Sequence, residues 1–239
     1  MKIYSFTFAR SGSKGLKNKN LRLFNNKPLV CWAIKDAKNC KLINKVFIST
    51  NSKKIAKVAE KAGAIIPFLR PKNISGDQSP EWNAWKHAIN FLKKNDDLPD
   101  LFVSVPCTSP LRTSGDLKRM INFFIKNKAD AVVGIYRSGR SPFFNIVKKD
   151  KNYRVRMLMK SKKKYARRQD CPPVYNLTTF AFILKTTFLM KSNNLYSGKV
   201  LGYEMDNKRS VDIDTLEDLN YAEYLNKKFD YKKNIDSNT

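Results

Sequence analysis

Short apolar runs and helically spaced apolar positions take turns along most of this chain. Ile3, Tyr4, Phe6 and Phe8 form a β-prone run that breaks into a polar, glycine-containing loop. Behind Lys27-Pro28, the positions Leu29, Trp32, Ala33 and Ala37 recur at helical spacing, and Pro28 suits a first helical turn. Residues 45–50, with Val46, Phe47 and Ile48, read as a second strand. Asn51 or Ser52 then caps a helix carrying Ile55, Ala56, Val58, Ala59 and Ala62, which stops at Gly63. Residues 64–68 read as a third strand. An order of strand, loop, helix, strand, helix, strand predicts an α/β fold built on a mainly parallel, doubly wound sheet.

The rhythm continues after a polar connection at 69–79 that holds Arg70-Pro71, Gly76 and Asp77. A helix from Glu81 turns Trp82, Trp85, Ile89 and Leu92 inward, as core residues. Residues 101–105 form a strand, and a helix beginning at Thr113 or Ser114 runs through Met120, Ile121 and Phe124. Another strand follows at 131–136. Residues 137–173 then lose the pattern: they are polar and basic, with Phe143, Phe144, Val155 and Met157 as the apolar anchors. Such an excursion cannot hold a core alone, so it is expected to pack over the active site or against a second subunit. Strands at 178–184 and 199–204, a short helix at 186–191 and a final helix at 216–228 restore regular structure. The polar tail past Phe229 is expected to fray. The whole, residues 1–239, reads as one domain with 137–173 inserted in it.

Composition narrows the function. With 239 residues, 42% hydrophobic and 28% charged, the chain can bury a sizeable core. No apolar run approaches the roughly 18 residues of a membrane helix, and no cleavage-site pattern follows the N-terminus, so a cytoplasmic protein with no membrane partner is expected. Cys31, Cys40, Cys107 and Cys171 lack metal-ligand spacing, and His87 is the single histidine. Zinc, disulfides and a histidine-dependent nucleophile are therefore disfavoured; His87 reads as a helix-surface residue. The formal charge of +27 carries the electrostatic footprint of a nucleic-acid binder. Its lysines are spread along the chain without an aromatic-interleaved RNA motif, however, and favour a solvated surface that also attracts anionic substrates. The dense basic run at 162–168 has the same two readings, solvated surface or contact with an acidic substrate. What remains is chemistry run by cations, carboxylates and a metal.

Two stretches can supply it. Between Ala9 and Asn20 lie Arg10, Ser11, Gly12, Ser13, Lys14, Gly15, Lys17 and Lys19. Glycines let backbone N–H groups approach phosphate oxygens, serines add hydroxyl donors and the cations neutralise charge. Neither common glycine-rich phosphate fingerprint is present, and a lysine-rich solvated turn is the plainer reading. Its place after the first strand of an open α/β sheet favours a ligand loop. The second stretch is Ser210-Val211-Asp212-Ile213-Asp214-Thr215. On a strand, Asp212 and Asp214 present two carboxylates on one side, hard oxygen ligands suited to Mg²⁺. Thr215 and Asp218 also spell a helix-capping box, and the two roles are compatible.

The ordered set of motifs resembles the acylneuraminate cytidylyltransferase (CMP-sialic acid synthetase-like) family. It comprises Ala9-Arg10-x-x-Ser13-Lys14-Gly15 with Lys19-Asn20, then Thr108-Ser109-Pro110-Leu111-Arg112, then Asp212-Ile213-Asp214-Thr215; Ile48-Ser49-Thr50, Leu69-Arg70-Pro71 and Arg168-Gln169 fall where that family has comparable residues. The resemblance spans residues 1–228. It implies a Rossmann-like nucleotidyltransferase fold working as a homodimer, with the dimerisation excursion at 137–173. The implied reaction transfers CMP from CTP to an α-keto acid sugar and releases pyrophosphate, with Mg²⁺. It further implies nucleotide contacts from Ala9, Arg10, Ser11, Gly12, Ser13, Lys14, Asn20 and Arg70, and catalytic roles for Arg10, Lys14, Lys19 and Asp214. Asp212 and Asp214 would hold metal, and Ser109, Arg168, Gln169 and Tyr175 would meet the sugar.

The sugar side departs from the family pattern. Pro106-Cys107 stands where Gln-Pro is usual, and Asn176-Leu177-Thr178-Thr179 where Arg-Pro-Asn-Gly is frequent. A lost arginine removes a bidentate carboxylate partner. N-acetylneuraminate, legionaminate, pseudaminate, a deaminated nonulosonate or an eight-carbon relative are all open, as is a phosphonate acceptor. A nucleic-acid-binding protein without CTP turnover is the rival from another class.

Overall fold

The computed structural model describes residues 1–231. Strand β1 (Ile3–Phe8) leads through the polar loop to a two-strand ribbon, β2 (Leu23–Phe24) and β3 (Lys27–Pro28), and to helix α1 (Leu29–Lys38). Then come β4 (Lys45–Ser49), α2 (Lys53–Lys61), α3 (Glu81–Lys94), β5 (Leu101–Ser104), α4 (Ser114–Asn127) and β6 (Ala131–Arg137). A hairpin of β7 (Val147–Lys149) and β8 (Val155–Met157) follows. Strand β9 (Tyr175–Lys185), α5 (Thr186–Lys191), β10 (Val200–Glu204) and α6 (Leu216–Phe229) complete the order.

Six strands form the central sheet in the order β10-β6-β9-β5-β1-β4. Strand β1 runs parallel to β4 and β5, and β10 parallel to β6, while β9 is antiparallel to both its neighbours. The fold is therefore α/β with a mainly parallel sheet, as the pattern predicted. Helix capping follows the sequence as well. The Ser52 hydroxyl accepts from Ile55 N, Thr113 forms a capping box with Asp116, and Thr215 forms one with Asp218. Two apolar clusters cover the faces of the sheet. One joins α1, α2, α4 and α6 through residues such as Leu29, Ile34, Leu117 and Ala222; the other joins α3 and α5 through Trp85, Ile89, Phe102 and Leu189.

Reversal of β9 has a functional consequence. Its first half lies at the edge where β1 and β5 end, so its residues reach the same rim as the loops that follow those strands. The ladder to β6 also shifts register between Val133 and Gly134: Val133 faces Phe182, whereas Gly134 faces Thr178. Thr179, Phe180 and Ala181 bulge out between those pairs, which frees their backbone for other partners. Gly134 permits this, because a Cβ there would lie 2.9 Å from Thr178 Cγ2 and 3.0 Å from Phe180 Cβ.

Four expectations change. Residues 64–68 are not a strand: Ile65 forms an isolated bridge with Phe47 of β4, and Leu69 forms another with Thr50 just past it; Pro67 has no N–H to extend a ladder. Asp212 and Asp214 lie in extended chain outside any strand. His87 is half-buried, its ring edge-on to Phe68 at 4.5 Å, rather than on the helix surface. In the excursion, Val155 and Met157 are exposed rather than anchored, with Val155 at 62%. Of the tail, Asp230 and Tyr231 are described, with the Tyr231 ring 5.7 Å from that of Phe229; the rest lies outside the described residues.

Candidate active site

The loop after β1 is held open by its own neighbours. Ala9, fully buried, donates its N–H to Ser49 O at 3.1 Å, which continues the β1–β4 pairing into the turn. Ser11 N donates to Asn51 Oδ1 at 2.9 Å, and Gly12 takes φ +82°, a conformation that favours glycine. Asn20, buried, donates from Nδ2 to Arg10 O at 3.0 Å and ties the two ends of the loop together. These contacts leave Arg10, Ser13, Lys14, Lys19 and Asn20 lining a cavity of about 450 Å³ at the carboxyl edge of the sheet.

The opposite wall comes from the C-terminal part of the chain. Lys19 Nζ donates to Asp214 Oδ1 at 2.7 Å. A Cβ on Gly15 would run into the Asp214 carbonyl oxygen, so only glycine allows the loop to rest against this segment. Asp212 lines the same cavity, and its Oδ1 is buried without a hydrogen-bond partner. Among the described residues no group of three or more histidine, cysteine or acidic side chains is gathered as a metal cage. Mg²⁺ does not need one: it is commonly held by one or two carboxylates together with substrate phosphates and water. An orphaned carboxylate oxygen beside a second carboxylate fits that requirement.

The Thr108–Arg112 motif does its work from inside the protein. Ser109, Leu111 and Arg112 are buried. Arg112 donates from Nη1 to Phe180 O at 2.6 Å, the carbonyl released by the β9 bulge, and from Nη2 to Pro106 O at 3.1 Å. Its Nε stands 3.7 Å from Asp36 Oδ2 on α1. Ile213 N in turn donates to Thr108 O at 2.9 Å, between the two aspartates. Arg209 donates to Leu111 O from Nη2 at 3.0 Å and also pairs with Asp116. The motif thus suspends the Asp212–Asp214 segment from the end of β5. Ser109 Oγ shares a 3.0 Å hydrogen bond with Thr179 Oγ1, and Thr108 and Thr179 line the cavity.

A third wall joins Arg70, expected at the nucleotide, to residues to which the sequence reading gave no site role. Arg70, buried, shares the cavity with Ile74, Asp77, Ser79, Pro80, Glu81 and Ala84. Burial pulls the Arg70 guanidinium below its ordinary range, while nearby Glu81 works the other way. Glu81 opens onto the cavity yet is crowded by protein, and desolvation pushes its carboxyl up against the opposing influence of Arg70. Asp77 bridges Arg10 and Lys14, with Lys14 Nζ at 2.8 Å. A carboxylate among loop cations was visible only as Gly76-Asp77 in a polar connection; nothing in its spacing says where the turn folds back. Cys107 also lines the cavity, but burial pushes its thiol up to about 12, which makes it a poor nucleophile.

Other predicted residues lie elsewhere. Ala9, Ser11 and Gly12 shape the loop without lining the cavity. Arg168 and Gln169 line a second cavity of about 420 Å³, with Arg137, Arg140, Ser141 and Asn207 among its other residues. Tyr175, at the start of β9, is exposed and lines neither.

Comparison with known proteins identifies the family. The chain is 29% identical over 221 residues to the post-translational flagellin modification protein B of Campylobacter coli, covering 91% of this chain and 92% of that protein. It is 30% identical over 221 residues to the CMP-N,N'-diacetyllegionaminic acid synthase of Campylobacter jejuni, with the same coverage. A solved CMP:2-keto-3-deoxy-manno-octonic acid synthetase complexed with CTP shares the fold at TM-score 0.71 and 12% identity, over 95% of this chain and 99% of that one. The family profile described as Cytidylyltransferase matches residues 7–237, and the chain belongs to the cytidylyltransferase family.

Proposed function

We infer that this enzyme transfers CMP from CTP to the anomeric hydroxyl of a nine-carbon α-keto acid sugar of the sialic and legionaminic acid class, releasing pyrophosphate. The carrying observation is one cavity lined by Arg10, Lys14 and Lys19 on one side and by Asp212 and Asp214 on the other, in a cytidylyltransferase chain. The similarity to the legionaminic acid enzyme over nine-tenths of both chains directs the choice of sugar.

In this reading the loop cations and Ser13 hold the triphosphate, with Lys19 near the α-phosphate, and Arg70 and Asn20 serve the nucleoside end. Transfer at phosphorus asks mainly for positioning and for neutralised charge, which fixed cations in a walled cavity supply. Asp212 and Asp214 would hold Mg²⁺, which would polarise the phosphate and lower the pKa of the attacking hydroxyl. Lys19, paired with Asp214, keeps the metal side and the phosphate side in register.

Residues 137–173 serve in this reading as the dimerisation and substrate-capping excursion of a single domain. Their hairpin and the two residues after it expose Val147, Val155, Met157, Leu158 and Met159, and Arg168 and Gln169 line the second cavity, not the one that holds Lys19 and Asp214. A second copy that covers the hairpin would bring such residues toward a neighbouring site. No helix among the described residues is long and apolar enough to cross a membrane. In this reading the enzyme works in the cytoplasm, where CTP is made.

The test is pyrophosphate release with Mg²⁺ and CTP across a panel of eight- and nine-carbon α-keto acid sugars, with ATP, GTP and UTP as controls. Release that depends on CTP and on a nine-carbon acid is expected. Release with an eight-carbon acid alone would move the substrate, and folded protein that neither binds nor turns over CTP would end the reading.

A further inference from the structure

Asp77 sits at the tip of a strap in the third wall of the cavity and reaches from it to the loop after β1. The strap starts at Arg70, whose N–H donates to Thr50 O at 2.8 Å, and ends where Pro80 opens α3. Between these anchors the backbone bonds are short-range: Ile74 N to Pro71 O, Ser75 N to Lys72 O and Ser79 N to Gly76 O. Arg70 Nε donates to Ser75 Oγ at 3.2 Å, which steadies the base of the strap but not its tip. At that tip one oxygen of Asp77 meets Arg10 and the other meets Lys14. Those two cations belong to the loop assigned above to the triphosphate, and among the described residues Asp77 forms an ion pair with each.

A triphosphate and the Asp77 carboxylate would claim the same donors. Held within a few ångströms of one another they would repel, and the triphosphate carries several charges against one. Ion pairs at a solvent-facing site are also individually weak, so displacement costs little. Lys14 and Arg10, in that order, hold the Asp77 carboxyl below the ordinary carboxylate range, so it is charged wherever the enzyme works. A Cβ on Gly76, next to it, would meet nothing within 4 Å, so no side chain packs against this side of the turn.

We propose that Asp77 is a built-in stand-in for phosphate: it closes the strap over the empty triphosphate loop and is displaced when the nucleotide binds. The proposal rests on the assignment of Arg10 and Lys14 to the triphosphate. Its consequence is that Asp77 weakens binding of the phosphate chain, which also eases release of pyrophosphate after transfer.

The experiment compares the full-length native protein with Asp77→Asn by calorimetric titration of inorganic pyrophosphate, and of CTP with Mg²⁺, at two salt concentrations. Asp77→Asn should bind pyrophosphate about two- to tenfold more tightly, the range expected for removing exposed ion-pair competition, and the gain should shrink at high salt. Hydrogen exchange should speed up at 71–79 when pyrophosphate is added to the native protein. Unchanged or weaker pyrophosphate binding by a variant with native melting temperature overturns the stand-in, and if the native enzyme still turns over CTP, it overturns that alone. If neither protein binds pyrophosphate or CTP, the triphosphate assignment falls and takes the stand-in with it.

Discussion

Lys19 and Asp214 meet at 2.7 Å although 195 positions separate them in the chain. Lys19 is largely enclosed, with its side chain 16% exposed, while Asp214 faces the cavity at 70%. An ion pair this open adds little to stability. Its value lies in joining the loop after β1 to the segment before α6, so that a cation and a carboxylate face one space.

Asp214→Ala should therefore leave the melting temperature nearly unchanged and lower turnover by about two to four orders of magnitude, the scale of losing a major electrostatic contribution. Lys19→Ala should reduce kcat far more than it raises the KM for the sugar. Steady-state kinetics on both variants, with melting curves as controls, decide the matter. Near-native turnover of folded Asp214→Ala would remove that carboxylate from the chemistry.

Gly15→Ala tests the same junction sterically. The added methyl would collide with the Asp214 carbonyl, a backbone atom that cannot rotate away. The loop and the aspartate segment must separate, so kcat should fall by at least about tenfold, a common consequence of a 1 Å misplacement. Gly12→Ala, which meets no atom within 4 Å but is strained at φ +82°, is the comparison. Equal, mild losses in both variants would show that packing against Asp214 is unimportant.

Arg112 is a structural clamp, and its loss should appear in folding before it appears in kinetics. The side chain is 1% exposed and spans α1, β9 and the loop after β5. Arg112→Met removes the guanidinium that faces the buried Asp36 carboxylate and leaves the Phe180 and Pro106 carbonyls without their donor, and should cost about 3–5 kcal/mol of unfolding free energy, the scale of removing one member of a buried pair. Arg112→Lys keeps the charge but lacks the planar fork that reaches two carbonyls and a carboxylate together, so it should recover only part of the loss. Urea unfolding of the three proteins measures this. A loss under 1 kcal/mol for Arg112→Met would contradict the clamp.

How much of this was legible in the sequence depends on range. Strand β1, helices α1 to α4 and three of the caps announce themselves through local periodicity and local side-chain chemistry. The loop cations and the Asp212–Asp214 pair could be named because each sits in a short stretch that matches a family motif, although a solvated turn and a capping box were also open readings. What could not be read was where distant backbone would go. Thr179 reaches the cavity through a bulge in an antiparallel strand, and no local pattern around Thr178 signals the register shift. Asp77 looked like one more polar loop residue because its partners, Arg10 and Lys14, lie more than sixty positions away. The Thr108–Arg112 motif could be named, but not that Ser109 Oγ would bond Thr179 Oγ1 or that Arg112 would reach the Phe180 carbonyl.

Asp116 gives a pH dependence whose sign can be worked out. Burial pushes its carboxyl up, but the hydrogen bond and charge of Arg209 and the bonds from Thr113 outweigh it and hold the group below the usual carboxylate range. A depressed carboxyl contributes stability that is fully present above the unfolded-state pKa, about 3.9, and is lost as pH falls through the folded value. The native protein should thus lose stability on acidification below about pH 4 more steeply than Asp116→Asn. At neutral pH the variant should already be less stable, because it gives up the α4 capping box and the charge partner of Arg209. Unfolding free energies between pH 3 and pH 7 for both proteins provide the check. The two curves should converge at the acid end, and curves that stay parallel throughout would show that Asp116 is not the group that titrates.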